Sequence, residues 1–101
     1  MAVKRKFECH ITIPREFGPI VRTYWDGVQG WGYSQIDGDP ILGKQVYCYL
    51  TRYDSDAVTL LSKMKETVGA LRTNHIPVLR EKIEEIIYDT KTGHDVIEVG
   101  R

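Results

Sequence analysis

Two stretches of the chain place charged and hydrogen-bonding side chains at every second position. These side chains are Glu8, His10 and Thr12 in the first stretch and Arg80, Lys82 and Glu84 in the second. Histidine transfers protons near neutral pH, while arginine and lysine bind phosphate and carboxylate groups. Because the side chains of a strand alternate between the two faces of a sheet, each set would share one face if both stretches are strands. The chemistry therefore depends on whether the fold makes these strands neighbours.

Hydrophobic periodicity predicts the element order β-α-β-β-α-β, followed by a short last strand. The predicted strands cover residues 3–13, 31–36, 45–51, 78–89 and 96–99. The predicted helices cover about 18–26 and the stretch from a cap at 54 or 55 to about 74. We expect Pro14 to end the first strand, since proline cannot donate a hydrogen bond to the ladder. The apolar face of that strand is formed by Phe7, Cys9, Ile11 and Ile13.

The segment 78–89 fits two kinds of secondary structure. Its apolar residues Leu79, Ile83, Ile86 and Ile87 have helical spacing. Residues 86–88 and 96–99, however, flank a loop that contains a glycine, which is typical of a β-hairpin. Because a hairpin needs a strand on both sides of its loop, we favour a strand for this segment.

The longer helix is predicted to begin after an N-cap formed by Asp54 or Ser55. Apolar residues recur along it at steps of three and four, which indicates one face that packs on a core. They are Ala57, Leu60, Leu61, Met64, Val68 and Leu71. The helix is expected to end near Asn74, before Pro77.

The element order indicates an α+β fold, a ferredoxin-like two-layer sandwich in which two helices cover one face of an antiparallel sheet. A single domain over residues 1–101 is expected, because this is the length of one domain. In this fold the first and fourth strands are neighbours, so their polar side chains would meet on the uncovered face. Tyr47 and Tyr49 of the third strand are expected on the other side of His10.

Composition sets further limits on function. The chain has 14 Lys and Arg against 14 Asp and Glu, so no net charge attracts nucleic acid or anionic membranes. No apolar run approaches the ~20 residues that cross a bilayer, and the amino terminus lacks the apolar segment of a secretory signal. Cys9 and Cys48 are expected to be buried and reduced, and the three histidines have no metal-ligand spacing. We therefore expect a cytoplasmic protein with no membrane contact, no metal and no cofactor, and nucleic acid is the weaker option as a partner.

Three short motifs resemble an uncharacterised domain of bacterial proteins that is sometimes fused to ankyrin repeats. They are Phe-Glu-Cys-His at 7–10, Gly-Asp-Pro-x-Leu-Gly at 38–43 and Arg-x-Lys-Ile-Glu at 80–84. The resemblance implies a ferredoxin-like fold with no established activity, and it implies that Asp39 acts together with the two polar sets. Members of that family continue into a second, similar half, which dimerisation could replace. Residues 10–12 also resemble the His-x-Thr element of two-histidine phosphoesterases, which use one such histidine as base and a second as acid.

The uncovered sheet face has three alternative roles: a solvated surface, an interface with a partner, or a site for a small anion. We expect a homodimer whose open face binds a partner or a small anionic ligand. The alternative is a phosphoester hydrolase or transferase in which His10, beside Glu8, is the catalytic acid and base, and Arg80 and Lys82 hold the anion. The residues expected to contact a ligand are Arg80, Lys82, Glu84, Tyr47, Tyr49 and Asp39. Because no motif fixes a reaction, the sequence leaves it open whether the protein is an enzyme.

Overall fold

The described part of the chain, residues 3–36, 47–89 and 95–98 of a computed structural model, forms five strands and two α-helices. The strands are β1 (Val3–Pro14), β2 (Gly32–Ile36), β3 (Tyr47–Asp54), β4 (Arg80–Asp89) and β5 (Asp95–Glu98). The helices are α1 (Gly18–Trp25) and α2 (Ala57–Thr73), and short 3₁₀ turns cover Arg15–Phe17 and Val28–Gly30. The predicted order of strands and helices is therefore confirmed.

The strands form one sheet in the order β2-β3-β1-β4-β5, and all neighbouring strands are antiparallel. β1 lies in the middle and pairs with β3 on one side and β4 on the other. The strand prediction for 78–89 is confirmed for residues 80–89, which pair with β1 along their whole length, while residues 78 and 79 precede the strand. Pro14 lies opposite Tyr47 and is the last residue of β1, so the strand ends at the proline and includes it.

Both helices contribute to a single core on one face of the sheet. The core side chains of β1 and β3 are Cys9, Ile11, Ile13, Cys48 and Leu50, all fully buried. The helices add Val21 from α1 and Leu60, Met64, Val68 and Leu71 from α2 to the same cluster. The protein is thus α+β, with an antiparallel sheet and helices that share one core against it. The two cysteines are free as well as buried.

The apolar stripe of α2 differs from the predicted one at Leu61. Leu60 is fully buried, whereas the next residue, Leu61, is 41% exposed. Consecutive residues of a helix point about 100° apart, so only one of the two leucines can face the sheet. Thr67 instead joins the buried side of the helix, at 6% exposure. Including Leu61 in the core was therefore wrong.

The N-cap of α2 is Asp56, so the prediction of Asp54 or Ser55 was wrong. The Asp56 carboxylate accepts hydrogen bonds from the backbone N–H groups of Val58 at 3.4 Å and Thr59 at 3.3 Å, and from the Thr59 hydroxyl at 2.6 Å. These bonds lower the pKa of Asp56, with the bond from the Thr59 hydroxyl the largest cause. Asp54 accepts a bond from the backbone of Asp56 instead, at 2.9 Å, and so shapes the turn before the helix.

No helix in the ranges described above is both long and apolar enough to cross a membrane.

Candidate functional site

The open face, the side of the sheet away from the helices, carries the polar residues that the sequence singled out. The strand register arranges them in three rows across β3, β1 and β4. The rows are Tyr53-Glu8-Glu84, Thr51-His10-Lys82 and Tyr49-Thr12-Arg80. Tyr47 lies opposite Pro14 at one end, and Lys6 lies opposite Ile86 at the other. Every predicted site residue except Asp39 is therefore on one face, and Asp39 lies outside the described residues.

His10 is held by partners on both ring nitrogens. Its Nε2 lies 2.5 Å from Oε1 of Glu8, and its Nδ1 lies 3.0 Å from the hydroxyl oxygen of Thr51. If Nε2–H donates to the Glu8 carboxylate, Nδ1 accepts from the Thr51 hydroxyl, and each group has a suitable partner. The side chains of His10 and Glu8 are 27% and 17% exposed, so the pair is largely shielded from water. This geometry fixes the imidazole in one orientation.

Glu8 also accepts a hydrogen bond from Tyr53 on the neighbouring strand. This bond stabilises the neutral phenol and, with burial and the negative charge of Glu8, raises the pKa of Tyr53 to about 12. The ammonium group of Lys6 lies 4.8 Å from the centre of the Tyr53 ring, a distance typical of cation–π contact. Tyr49 meets His10 edge-on, with the ring centres 6.5 Å apart. Tyrosines thus flank the Glu8–His10 pair on the β3 side.

The cations of β4 differ in their pairing. Lys82 forms an ion pair with Glu84, so its charge is neutralised within the same strand. Arg80 is exposed and forms no ion pair within the part of the chain that the structure describes. Of the two cations predicted to hold an anion, Arg80 is therefore the one whose guanidinium is available to a ligand.

Among the described residues, Thr51 and Tyr53 contact the Glu8–His10 pair and were not among the predicted site residues. Tyr53 was missed because the third strand was expected to end at residue 51, while β3 continues to Asp54. The alternation of Tyr47, Tyr49 and Thr51 continues to Tyr53 in the sequence, and this was the signal that could have found it.

A separate groove lies between α1 and β2, away from the open face. Its volume is about 810 Å³, and it is lined by Pro19, Arg22, Thr23, Asp26, Tyr33, Ser34 and Gln35. The Asp26 carboxylate accepts a hydrogen bond from the backbone N–H of Tyr33 at 3.0 Å, which ties the start of β2 to the end of α1. Among the residues that the structure describes, no histidine and no predicted site residue lines this groove.

Among the residues with described positions, no group of three or more His, Cys, Asp and Glu side chains is placed to hold a metal ion.

Comparison of the chain with protein-family models, with curated proteins and with solved structures gives no match in any of the three. The resemblance of the three motifs to a bacterial domain therefore stays a prediction, and function has to be argued from the side chains themselves.

Proposed function

We propose that this chain is a ferredoxin-like interaction domain that forms a homodimer by packing two open faces against each other. The strand order β2-β3-β1-β4, with both helices in one core, supports the ferredoxin-like assignment. The observation that carries the dimer is the row of tyrosines along β3, next to charges that are already paired on their own chain. Tyrosine and arginine are enriched at the anchor positions of protein interfaces.

The internal pairing of charges favours a protein partner over a free anion. Glu8 is bonded to His10, and Glu84 is paired with Lys82, so most charges on the face already have partners within the chain. A paired charge costs less to bury in an interface than an isolated one. The same pairing weakens the face as an anion site, since an anion would have to compete with Glu84 for Lys82. Arg80 remains available to bond to the second copy.

The size of the face also suits a second copy of the chain. The sheet has five strands, and β3 is eight residues long. With strands about 4.8 Å apart and a rise of about 3.3 Å per residue, the face measures roughly 600 Å² in projection. Standard interfaces bury about 800 Å² of accessible surface per partner. Two such faces packed sheet on sheet would therefore bury an area of the order found in standard interfaces.

A phosphoester hydrolase or transferase is the second candidate, and the Glu8–His10 pair is the observation that favours it. A carboxylate that orients a histidine is the usual support of a general base. In this geometry, however, Nδ1 of His10 is bonded to Thr51, so the base would have to exchange that partner for water before removing a proton. We therefore place the dimer first.

The dimer proposal includes a cytoplasmic location, which the two buried free thiols support.

Sedimentation of the wild type and of Tyr49→Ala and Arg80→Ala tests the dimer. We expect the wild type to sediment at twice the monomer mass. Each variant should raise the dissociation constant of the dimer at least about tenfold, because truncating an anchor residue weakens the binding free energy by more than about 1.4 kcal/mol. Matched controls are Tyr24→Ala and Arg72→Ala, which remove exposed residues of the helices, Tyr24 being 66% exposed. A monomeric wild type, or an equal effect of the controls, would remove the proposal. Cleavage of a chromogenic phosphodiester that is lost in His10→Gln would favour the second candidate.

A further inference from the structure

Arg80 differs from the other charged residues in the three rows of the open face. It is exposed and forms no ion pair within the part of the chain that the structure describes. Glu8 is bonded to His10, and Lys82 is paired with Glu84. A guanidinium that an interface covers needs an acceptor, because an unpaired charge away from water is strongly destabilising. In a dimer of two open faces, Arg80 therefore has to find its acceptor on the second copy.

The part of the open face formed by β3, β1 and β4 carries two carboxylates, and both lie in the row furthest from Arg80. Glu8 on β1 and Glu84 on β4 belong to the first row, whereas Arg80 belongs to the third. Arg80 and Glu84 are four positions apart on one strand, which separates them by roughly 13 Å at about 3.3 Å per residue. They cannot pair within one chain, so only a dimer that places the third row over the first brings them together.

Two stacked faces can be related by a two-fold axis that runs either along β1 or across the strands. An axis along β1 keeps the rows and exchanges β3 with β4, so Arg80 would lie over the partner's Tyr49. An axis across the strands through His10 keeps each strand over its own copy and exchanges the first and third rows. Arg80 then lies over the partner's Glu84, and Tyr49 lies over the partner's Tyr53. The second axis thus matches charge with opposite charge and ring with ring.

The spacing of packed sheets suits a pair between Arg80 and the partner's Glu84. Packed sheets lie about 10 Å apart, a gap that an arginine and a glutamate side chain span together. Their relative rotation of about 30° displaces positions one strand and one row from the axis by roughly 4 Å, which the long arginine side chain can follow. Oε1 of Glu84 contacts Lys82, and an ionised carboxylate accepts at about four positions, so Glu84 can hold both cations.

The remaining charges are compatible with the same axis. Lys82 is in the middle row and faces the partner's Lys82, but each of these lysines is already paired with Glu84 of its own strand. Each copy contributes Arg80 and Lys82 as cations and Glu8 and Glu84 as carboxylates. With His10 uncharged, the facing rows therefore carry no net charge, and no charge within them is left without an opposite one nearby.

We propose that two open faces pack about a two-fold axis that runs across the strands through His10, with Arg80 of each copy bound to Glu84 of the other. This arrangement rests on the dimer proposed above, and it adds the residues that recognise the second copy and the orientation in which they do so. The planar fork of arginine matches the two oxygens of a carboxylate. Because the pair occurs twice in the dimer, it selects this axis over the one along β1.

Mixing two charge-reversal variants in sedimentation experiments tests the pair between copies. Alone, Arg80→Glu and Glu84→Arg each place like charges opposite each other twice, so each should raise the dissociation constant of the dimer at least about a hundredfold. In an equimolar mixture, both pairs of the heterodimer again join opposite charges. We expect this heterodimer to form with a dissociation constant within about tenfold of the wild type. Arg72→Glu, a charge reversal at an exposed position of α2, should leave the wild-type value unchanged.

The outcomes separate this arrangement from the dimer itself. A monomeric wild type removes both, whereas a wild-type dimer whose two reversal variants fail to associate when mixed overturns the arrangement alone. If circular dichroism shows that Glu84→Arg is unfolded, Arg80→Gln, Glu84→Gln and the double variant decide instead. Because one shared pair can be lost only once, the double variant should dimerise no more weakly than the weaker single variant. Losses that multiply in the double variant overturn the arrangement.

Discussion

Leu60 and Leu61 offer a test of how α2 lies on the sheet. Truncating Leu60 to alanine removes about three carbon groups at ~0.8 kcal/mol each, or ~2.4 kcal/mol of transfer free energy. Leu60 is fully buried, so a cavity remains, and at about 24 cal/mol per Å³ a void of roughly 50 Å³ adds ~1 kcal/mol. We expect Leu60→Ala to lower the free energy of unfolding by about 3–4 kcal/mol.

Leu61→Ala is the matched control, with the same chemical change one residue further along the helix. Leu61 is 41% exposed, so water fills the space that the truncation leaves, and we expect a loss of only about 1 kcal/mol. Urea denaturation measures both values from the shift in midpoint, provided that the slope is unchanged. Losses that agree within ~0.5 kcal/mol, or a larger loss at Leu61, would refute the orientation of α2 described above.

Three further perturbations test other features of the structure. The folded state raises the pKa of Tyr53 from 10.0 to about 12. The neutral Tyr53 phenol therefore stabilises the fold fully below pH 10, and this stabilisation is lost as the pH rises towards 12. Tyr53→Phe should make the melting temperature fall less steeply over that pH range. Gly18→Ala should lower the free energy of unfolding by about 1–3 kcal/mol, because a Cβ there would lie 2.6 Å from the hydroxyl of Tyr33. Gly69→Ala should raise the free energy of unfolding by about 0.4–1 kcal/mol in the same urea assay, because a Cβ there would meet nothing within 4 Å. Asp56→Ala should lower the melting temperature at pH 7. Because the hydrogen bonds of the cap lower the pKa of Asp56, this loss should shrink as the pH falls below 3.8, the ordinary pKa of aspartate; a loss that does not change with pH would contradict the cap.

The sheet and its open face were predictable because alternation along a strand is a local property. Once β1 and β3 were recognised from their period of two, their core and open faces followed residue by residue. To predict that Glu8 lies opposite Glu84 and His10 opposite Lys82, the order of the strands in the sheet was also needed. The order of helices and strands along the chain suggested that strand order. The positions of the site residues on β1, β3 and β4 could therefore be predicted from the sequence.

The errors arose where three-dimensional packing decides between equivalent local patterns. Leu60 and Leu61 have the same chemistry, and only the position of the sheet determines which one is buried. Asp54 and Asp56 are both good N-caps, and the choice depends on where the turn after β3 ends. Arg52 is on the core side of β3 because the alternation of side chains continues beyond the apolar residues, and no local signal in the sequence marks this position.

The central position of β1 has a consequence for how the chain folds during synthesis. β1 is made before either of its neighbours, and Thr51 lies 41 residues after its contact His10. β4 follows only after the whole of α2. A nascent chain that ends within α2 would therefore pair β1 with β3 alone and expose the other edge of β1 to unrelated strands. Because its pairings are distant in sequence, we expect the domain to fold more slowly than a helical bundle of equal length and to depend on β4 to close the sheet.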